Sequence, residues 1–191
     1  MRVGVLALQG DFDKHAKALV AAGLDPRDAP EVRTLEQLAA VDALVIPGGE
    51  STTIGKLMVM FGLLEPLRER IRAGMPTFGT CAGMIMLSRE VIGYDQVLLG
   101  ALDIAVERNA YGRQVHSFET DFETAIPGAP RVRGVFIRAP RIARLGDGVE
   151  TLASFEGAPV LVRQGNLLAS SFHPELTDDA SIHRWFIEGM R

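Results

Sequence analysis

Pro76-Thr77-Phe78-Gly79-Thr80-Cys81-Ala82-Gly83 sets the only cysteine of a 191-residue chain between two glycines. Thr77 and Phe78 read as the end of a strand and residues 84–89 as a helix, so Cys81 falls on a tight strand-to-helix turn. The pattern G-x-C-x-G is the thiol form of a nucleophile elbow, in which small residues must flank the reacting side chain. Such a turn presents the sulfur at a helix N-terminus, where unpaired N–H groups and the helix dipole favour thiolate over thiol. Cys81 is therefore the candidate nucleophile. On spacing alone a buried structural cysteine fits as well.

Working outward, residues 43–46 form an apolar strand that ends in Pro47-Gly48-Gly49-Glu50-Ser51-Thr52, and residues 57–72 read as mostly helical up to the elbow strand. Residues 3–8 (V-G-V-L-A-L) form another buried strand, ending at Gln9-Gly10. Over residues 12–22, Phe12, Ala16, Leu19 and Val20 recur at helical spacing, with Asp11 placed to cap the helix and Gly23 to stop it. Residues 25–30 carry two prolines and three charges, so a second strand there is short or at an edge. Residues 35–40 give a short helix. This alternation implies a parallel sheet with helices on both faces and ligands at the carboxyl ends of the strands. Gln9-Gly10, residues 48–51 and Cys81 all lie at such ends. In the second half, short β-rich segments (103–106, 115–122, 131–137, 149–155, 160–163 and 167–171) alternate with Gly/Pro turns. They read as antiparallel additions to the same sheet. Residues 178–190 close the chain as an amphipathic helix with Ile182, Trp185 and Phe186 facing inward. No linker composition interrupts residues 1–191, which are expected to form one domain.

Composition narrows the class of function. A hydrophobic content of 47% and a net charge of -4 describe a globular chain with enough residues for a full core. The longest apolar runs fall far short of a membrane span, and Met1-Arg2 leads directly into a strand rather than into a signal-peptide core. The expected location is cytoplasmic, with no membrane partner. One cysteine excludes an internal disulfide. The absence of a long Lys/Arg run argues against nucleic acid as a partner. Gly48-Gly49 with Gly55-Lys56 invites a phosphate-loop reading, but G-x-x-x-x-G-K-[ST] fails: Glu50 stands where the first glycine belongs and Leu57 follows the lysine. The two glycines suit close backbone approach to a substrate instead, with the Gly49 N–H aimed at a carbonyl oxygen.

A nucleophilic cysteine needs a base, and the candidates are His15, His116, His173 and His183. Only His173 follows an apolar strand (167–172) and precedes a carboxylate at i+2, in His173-Pro174-Glu175. In an extended segment those two side chains share one side, so Glu175 can hold the imidazole. Cys81, His173 and Glu175 thus supply nucleophile, base and orienting group for acyl transfer. His183 reads as a helix surface residue and His15 as a packing or interface residue. His116, on an expected strand, is either structural or pocket-lining. Met58, Met60, Met75, Met84 and Met86 read as adaptable core filling.

Together, residues 47–52, Gly79-Thr80-Cys81-Ala82-Gly83-Met84 and Phe172-His173-Pro174-Glu175-Leu176 resemble the three signatures of class I triad glutamine amidotransferases. Leu6-Ala7-Leu8-Gln9-Gly10, Arg108-Asn109-Ala110-Tyr111-Gly112-Arg113-Gln114 and Phe136-Ile137-Arg138-Ala139-Pro140 narrow the resemblance to the glutaminase subunits of pyridoxal phosphate synthase. It implies a three-layer αβα, flavodoxin-like α/β fold with a mixed, mainly parallel sheet. It also implies hydrolysis of L-glutamine to L-glutamate and ammonia through a thioester, with ammonia passed to a synthase subunit in a hetero-oligomeric complex. No cofactor and no metal are expected. Cys81 would attack the side-chain amide, His173 carry the proton and Glu175 orient His173. The glutamine contacts would be Gly49, Glu50, Ser51, Arg108, Ile137 and Arg138. Independently of the family, N–H groups of Gly49 and Ala82 suit a developing oxyanion, and a zwitterionic amino acid wants a cation (Arg108 or Arg138) and an acceptor (Glu50). The resemblance further implies that the isolated chain is poorly active until the partner adjusts the Gly48-Gly49 loop. Rival readings are a glutaminase for another synthase, an elbow-cysteine hydrolase or chaperone, and a silent partner subunit. The hydrolase and chaperone group carries His after the cysteine, where this chain has Ala82.

Overall fold

A computed structural model describes residues 1–108 and 117–189. The first half follows the expected alternation. Strand β1 (Val3–Leu6) leads into helix α1 (Phe12–Ala21), and strand β2 (Glu31–Val32) into helix α2 (Leu35–Ala39). Strand β3 (Ala43–Ile46) is followed by helices α3 (Ser51–Met60) and α4 (Leu64–Arg72). Strand β4 (Thr77–Thr80) then runs through Cys81 into helix α5 (Ala82–Leu87). The second half contains strands β5 (Ser88–Val91), β6 (Leu102–Glu107), β7 (Ser117–Glu123), β8 (Arg131–Ile137) and β9 (Arg141–Leu145). Strands β10 (Glu150–Phe155), β11 (Ala158–Gln164) and β12 (Leu167–Ser170) precede helix α6 (Ser181–Glu188).

Local chemistry explains most boundaries. Thr34 and Gln37 form a capping box that starts α2. The Asp25 carboxylate accepts the Arg27 N–H and folds Pro26–Asp28 into a 3-10 turn, which leaves β2 two residues long at the sheet edge. Helix α5 stops two residues short of the expected end because the Ser88 hydroxyl donates to the Ile85 carbonyl and the chain becomes extended there. Asp11 makes no side-chain cap bond to α1.

The main sheet has seven strands in the order β10-β11-β12-β4-β3-β1-β2. From β2 through β1, β3 and β4 to β12 every neighbouring pair is parallel. Strands β11 and β10 add antiparallel at the other end. Side chains alternate between the two faces, as strand geometry requires. Leu44 and Ile46 join a core with α2 to α5, while Val3, Val5, Val45 and Phe78 join a second core with α1, α6 and the β7–β8 pair. The fold is thus a three-layer αβα arrangement on a mixed, mainly parallel sheet.

Strands β10 and β11 are the expected antiparallel additions, but β12 lies parallel beside β4 inside the sheet and the other second-half strands leave it. Strands β5, β6 and β9 form a separate three-stranded sheet, with β5–β6 parallel and β6–β9 antiparallel. Strands β7 and β8 form a two-stranded antiparallel ribbon. Glycine and proline mark where a strand ends but not which edge it joins. The ribbon stays with the main body because one face is apolar: Val132 and Phe136 are buried while Arg131 and Arg133 are exposed. The His173 N–H also donates to the Val135 carbonyl at 2.9 Å.

Phe172 anchors that contact. Its ring is fully buried, with centroids 5.0 Å from Phe122 and 5.6 Å from Phe136. Phe172→Ala is expected to cost about 3–5 kcal/mol in urea unfolding. A loss under about 1 kcal/mol would contradict a filled aromatic core at this position.

Candidate active site

The backbone at Cys81 carries the signature of the elbow. Cys81 adopts φ 50° and ψ -104°, a conformation disfavoured for a residue with a Cβ. Its N–H donates to the Ser170 carbonyl at 2.8 Å, which ties the turn to the end of β12. A Cβ on Gly83 would run into the Ile46 carbonyl, so the residue after Ala82 must be glycine for α5 to pack on β3. Ala82 opens α5, where the first N–H groups have no intrahelical partner.

His173 follows β12 and is nearly buried. Rather than an extended segment, Pro174–Leu176 forms a 3-10 turn after His173, yet the imidazole Nδ1 and Glu175 Oε1 meet at 2.7 Å. Burial opposes a charge on His173, but a hydrogen bond with Cys81, a hydrogen bond with Glu175 and the charges of both outweigh it and push the imidazole up to about 10. Burial likewise opposes a charge on Glu175. His15 and His173 overcome it and hold the carboxyl well below the usual range. Gly48 packs against the imidazole so closely that a Cβ there would overlap His173 Cε1.

In front of Cys81 lies a cavity of about 270 Å³. Cys81, Ala82, His173, Gly49, Glu50, Ser51, Arg108, Ile137 and Arg138 all line it. Every expected site residue except Glu175, which stands behind His173, therefore borders one space. Arg138, directly after β8, holds φ 44°, a left-handed conformation unusual for a side chain of this size. Gln9 and Ile85 complete the lining.

The wall is charged and organised. Glu50 caps α3, and its Oε1 accepts the Thr52 hydroxyl at 3.0 Å and Arg108 Nη2 at 2.7 Å. Partial burial works against that carboxylate, while Thr52 and Arg108 lower its pKa on balance. The Arg108 guanidinium is also 5.1 Å from the Tyr94 ring centroid and reaches Gln96 Oε1 at 3.3 Å. Ser51 is buried, and its hydroxyl meets the Gln96 amide. Gln9 Oε1 accepts the Glu50 N–H at 2.7 Å.

Gln96 and Tyr94 were not indicated by the sequence, since both fall in an aperiodic stretch. Gln9 was placed at a strand end, but not its side-chain bond. His15, read as a packing or interface residue, is fully buried on α1 and in polar contact with His183, Thr80 and Glu175. His183 is a correction: the sequence puts it on the helix surface, whereas it is fully buried. The reason is a polar partner inside, His15 Nδ1, 3.0 Å from His183 Nε2. Met58, Met75, Met84 and Met86 are core residues, but Met60 is exposed. His116 and the 109–114 stretch lie outside the described residues.

Comparison with known proteins gives the family of the chain. Residues 5–191 match the SNO glutamine amidotransferase family. The pyridoxal 5'-phosphate synthase subunit PdxT of Frankia casuarinae is 57% identical over 192 residues, covering 100% of this chain and 95% of that protein. The subunit of the same name from Thermus thermophilus is 57% identical, covering 97% and 96%. Among solved structures, one described as a glutamine amidotransferase has a TM-score of 0.92 at 55% identity, covering 98% of both chains. PurLQS from Thermotoga maritima, at 15% identity and a TM-score of 0.73, shares the fold.

Buried His183 gives the site a pH signature. Burial, and then the neighbouring His15, lower its pKa to about 3 against the opposing pull of Glu175. A depressed histidine pKa means that the unfolded chain binds the proton first. The stability that neutral His183 contributes is complete above the unfolded value near 6.5 and is lost as pH falls from there towards 3. Glu175, also lowered, adds its loss only below the ordinary carboxylate range. Urea midpoints should fall between about pH 7 and about pH 5, and fall less in His183→Leu. Equal slopes in the two proteins would contradict a neutral buried His183.

Proposed function

Because the chain belongs to the SNO glutamine amidotransferase family, we propose that it is the glutaminase subunit of a pyridoxal 5'-phosphate synthase, hydrolysing L-glutamine to L-glutamate and ammonia. The observation that carries this reading is one cavity in which an elbow cysteine and a carboxylate-held histidine face a Glu50–Arg108 pair.

With Nδ1 committed to Glu175, the Nε2 of His173 is the atom left to exchange protons with Cys81 and the substrate. The Cys81 thiolate adds to the side-chain amide carbon, and the carbonyl electron pair moves onto oxygen. Donors from Ala82 and Gly49 suit that oxyanion; one such donor is worth roughly 3 kcal/mol in the transition state. Imidazolium His173 gives its Nε2 proton to the amide nitrogen, the C–N bond breaks and ammonia leaves. A water then adds to the thioester while His173 takes its proton, and the thiolate departs to release glutamate. A His173 pKa near 10 suits an imidazole that must hold a proton until the amide nitrogen takes it. No step calls for a cofactor.

The substrate's two ends account for the wall. A free amino acid presents an α-carboxylate and an α-ammonium, and Arg108 with Glu50 offers one charge of each sign already paired. Arg138 is the alternative cation, and Ser51 and Ile137 also line the cavity. The partner in this reading is the synthase subunit of a hetero-oligomeric complex, which receives the ammonia. No helix among the described residues is long and apolar enough to cross a membrane, which is compatible with a cytoplasmic assembly. We take residues 1–191 as one glutaminase domain.

Ammonia release from glutamine, measured for the chain alone and with its synthase subunit, tests the reading. Release should rise with the partner and fall at least about 10³-fold in Cys81→Ala. Arg108→Ala should raise KM roughly 10- to 100-fold with kcat little changed, because it removes binding common to substrate and transition state. Release that is indifferent to Cys81 would overturn the proposal.

A further inference from the structure

We infer that His15 and His183 are a buried positioning pair that holds Glu175 in register for His173. The inference rests on the glutaminase reading, since it gives that site a second layer. Glu175, His15, His183 and Thr80 are all buried, and they converge from four elements: the turn after β12, α1, α6 and the end of β4. Glu175 Oε1 is committed to His173. Its Oε2 lies 3.3 Å from His15 Nε2 and has no hydrogen bond of ideal geometry among the described residues.

The proton positions follow by elimination. A bare Nε2 on His15 would set a lone pair against a carboxylate oxygen, so Nε2 carries hydrogen, shared between Oε2 and Thr80 Oγ1 at 3.0 Å. One hydrogen lies between His15 Nδ1 and its neighbour at 3.0 Å, His183 Nε2, and the arrangement that strands no donor puts it on Nε2. That leaves His183 Nδ1 as a bare acceptor, and Nδ1 is the atom found buried without a partner. The opposite assignment would strand a buried N–H there instead, the costlier of the two orphans. Chain order is therefore His183 to His15 to Glu175 to His173, with each N–H pointing towards the carboxylate.

Removing the pair would leave half of a buried carboxylate without a donor. Such a carboxylate is a less fixed counter-charge, so it holds the His173 tautomer and the imidazolium less well. The groups facing His15 are Glu175 from the turn, His183 from α6, and Thr80 beside Cys81 at the end of β4. Strand β1 offers no titratable side chain. Lys14, Lys17 and Asp178 line the cleft on the far side of Glu175.

The test compares His15→Leu, which removes the donor, with His15→Gln, whose Nε2 amide donates from a similar position. In the complex with the synthase subunit, kcat for ammonia release should fall about 10- to 100-fold in His15→Leu, the worth of one hydrogen bond to a charged group. KM should stay within about 2-fold. The acid limb of the pH profile should move up by about one unit, and His15→Gln should restore both. Because Cys81 is the only cysteine, its alkylation by iodoacetamide reads the Cys81–His173 pair without glutamine. The acid limb of that rate should move in the same direction. Absent ammonia release in every protein would count against the function, while the alkylation profile would still decide the pair. An acid limb of alkylation unmoved in His15→Leu, or moved as far in His15→Gln, overturns the inference. If His15→Leu does not fold, His183→Leu takes its place, since it removes the donor that fixes the His15 tautomer. Movement supports the pair and coincidence with wild type overturns it.

Discussion

Strands β4 and β12 run side by side in parallel, with Thr80 opposite Ser170, and the Cys81 N–H closes the pairing on the Ser170 carbonyl at 2.8 Å. That register sets the spacing between nucleophile and base, because each lies within three residues of the last paired position. The strained Cys81 backbone, a conformation that costs on the order of 1–3 kcal/mol, persists because β3 and α5 leave it no alternative. Gly83 permits the packing and the Ile46 carbonyl enforces it. Gly48 does the same for His173, admitting the imidazole where any Cβ would exclude it. Catalytic geometry is thus written into backbone packing at the carboxyl ends of three central strands, and side-chain chemistry is added to it.

Electrostatics then separates the two ends of the cavity. Behind Cys81 the charges are buried and arranged in series, so that a deeply buried carboxylate is kept ionised by histidines on both sides. A charge so placed costs several kcal/mol unless it is paired and hydrogen-bonded, which ties the integrity of the triad to the packing of α1 and α6. At the other end Glu50 and Arg108 remain partly accessible, where a ligand with two opposite charges can enter the existing pair. One end is rigid and preorganised for chemistry. The other is polar enough to exchange partners.

How much of this was legible in the sequence depends on the range over which each signal acts. The elbow and the strand ends are local, and glycines at 48, 49, 79 and 83 announced them. His173 and Glu175 were found through a two-residue spacing, although the chain there turns rather than extends. Six of the second-half strands were located, and β10 and β11 join the main sheet as read, but β5 and β9 were missed and the separate sheets were not seen, since edge choice depends on distant partners such as the Phe122, Phe136 and Phe172 cluster. His183 was misplaced because helical spacing ranks a histidine as polar, and only the three-dimensional neighbour His15 makes its burial affordable. Arg108 was visible through resemblance alone. What holds it, Glu50, Gln96 and Tyr94, comes from segments with no common pattern.

The central claim is that the Cys81 sulfur attacks the side-chain carbon of an amino acid held by the Glu50–Arg108 wall. A glutamine analogue with a chloroketone in place of the side-chain amide, followed by peptide mass mapping, tests it most directly. The account predicts one covalent equivalent on Cys81, formed more slowly when glutamine is present and when Arg108 is replaced by alanine. Labelling of another residue, or labelling of Cys81 that glutamine does not slow, would contradict it.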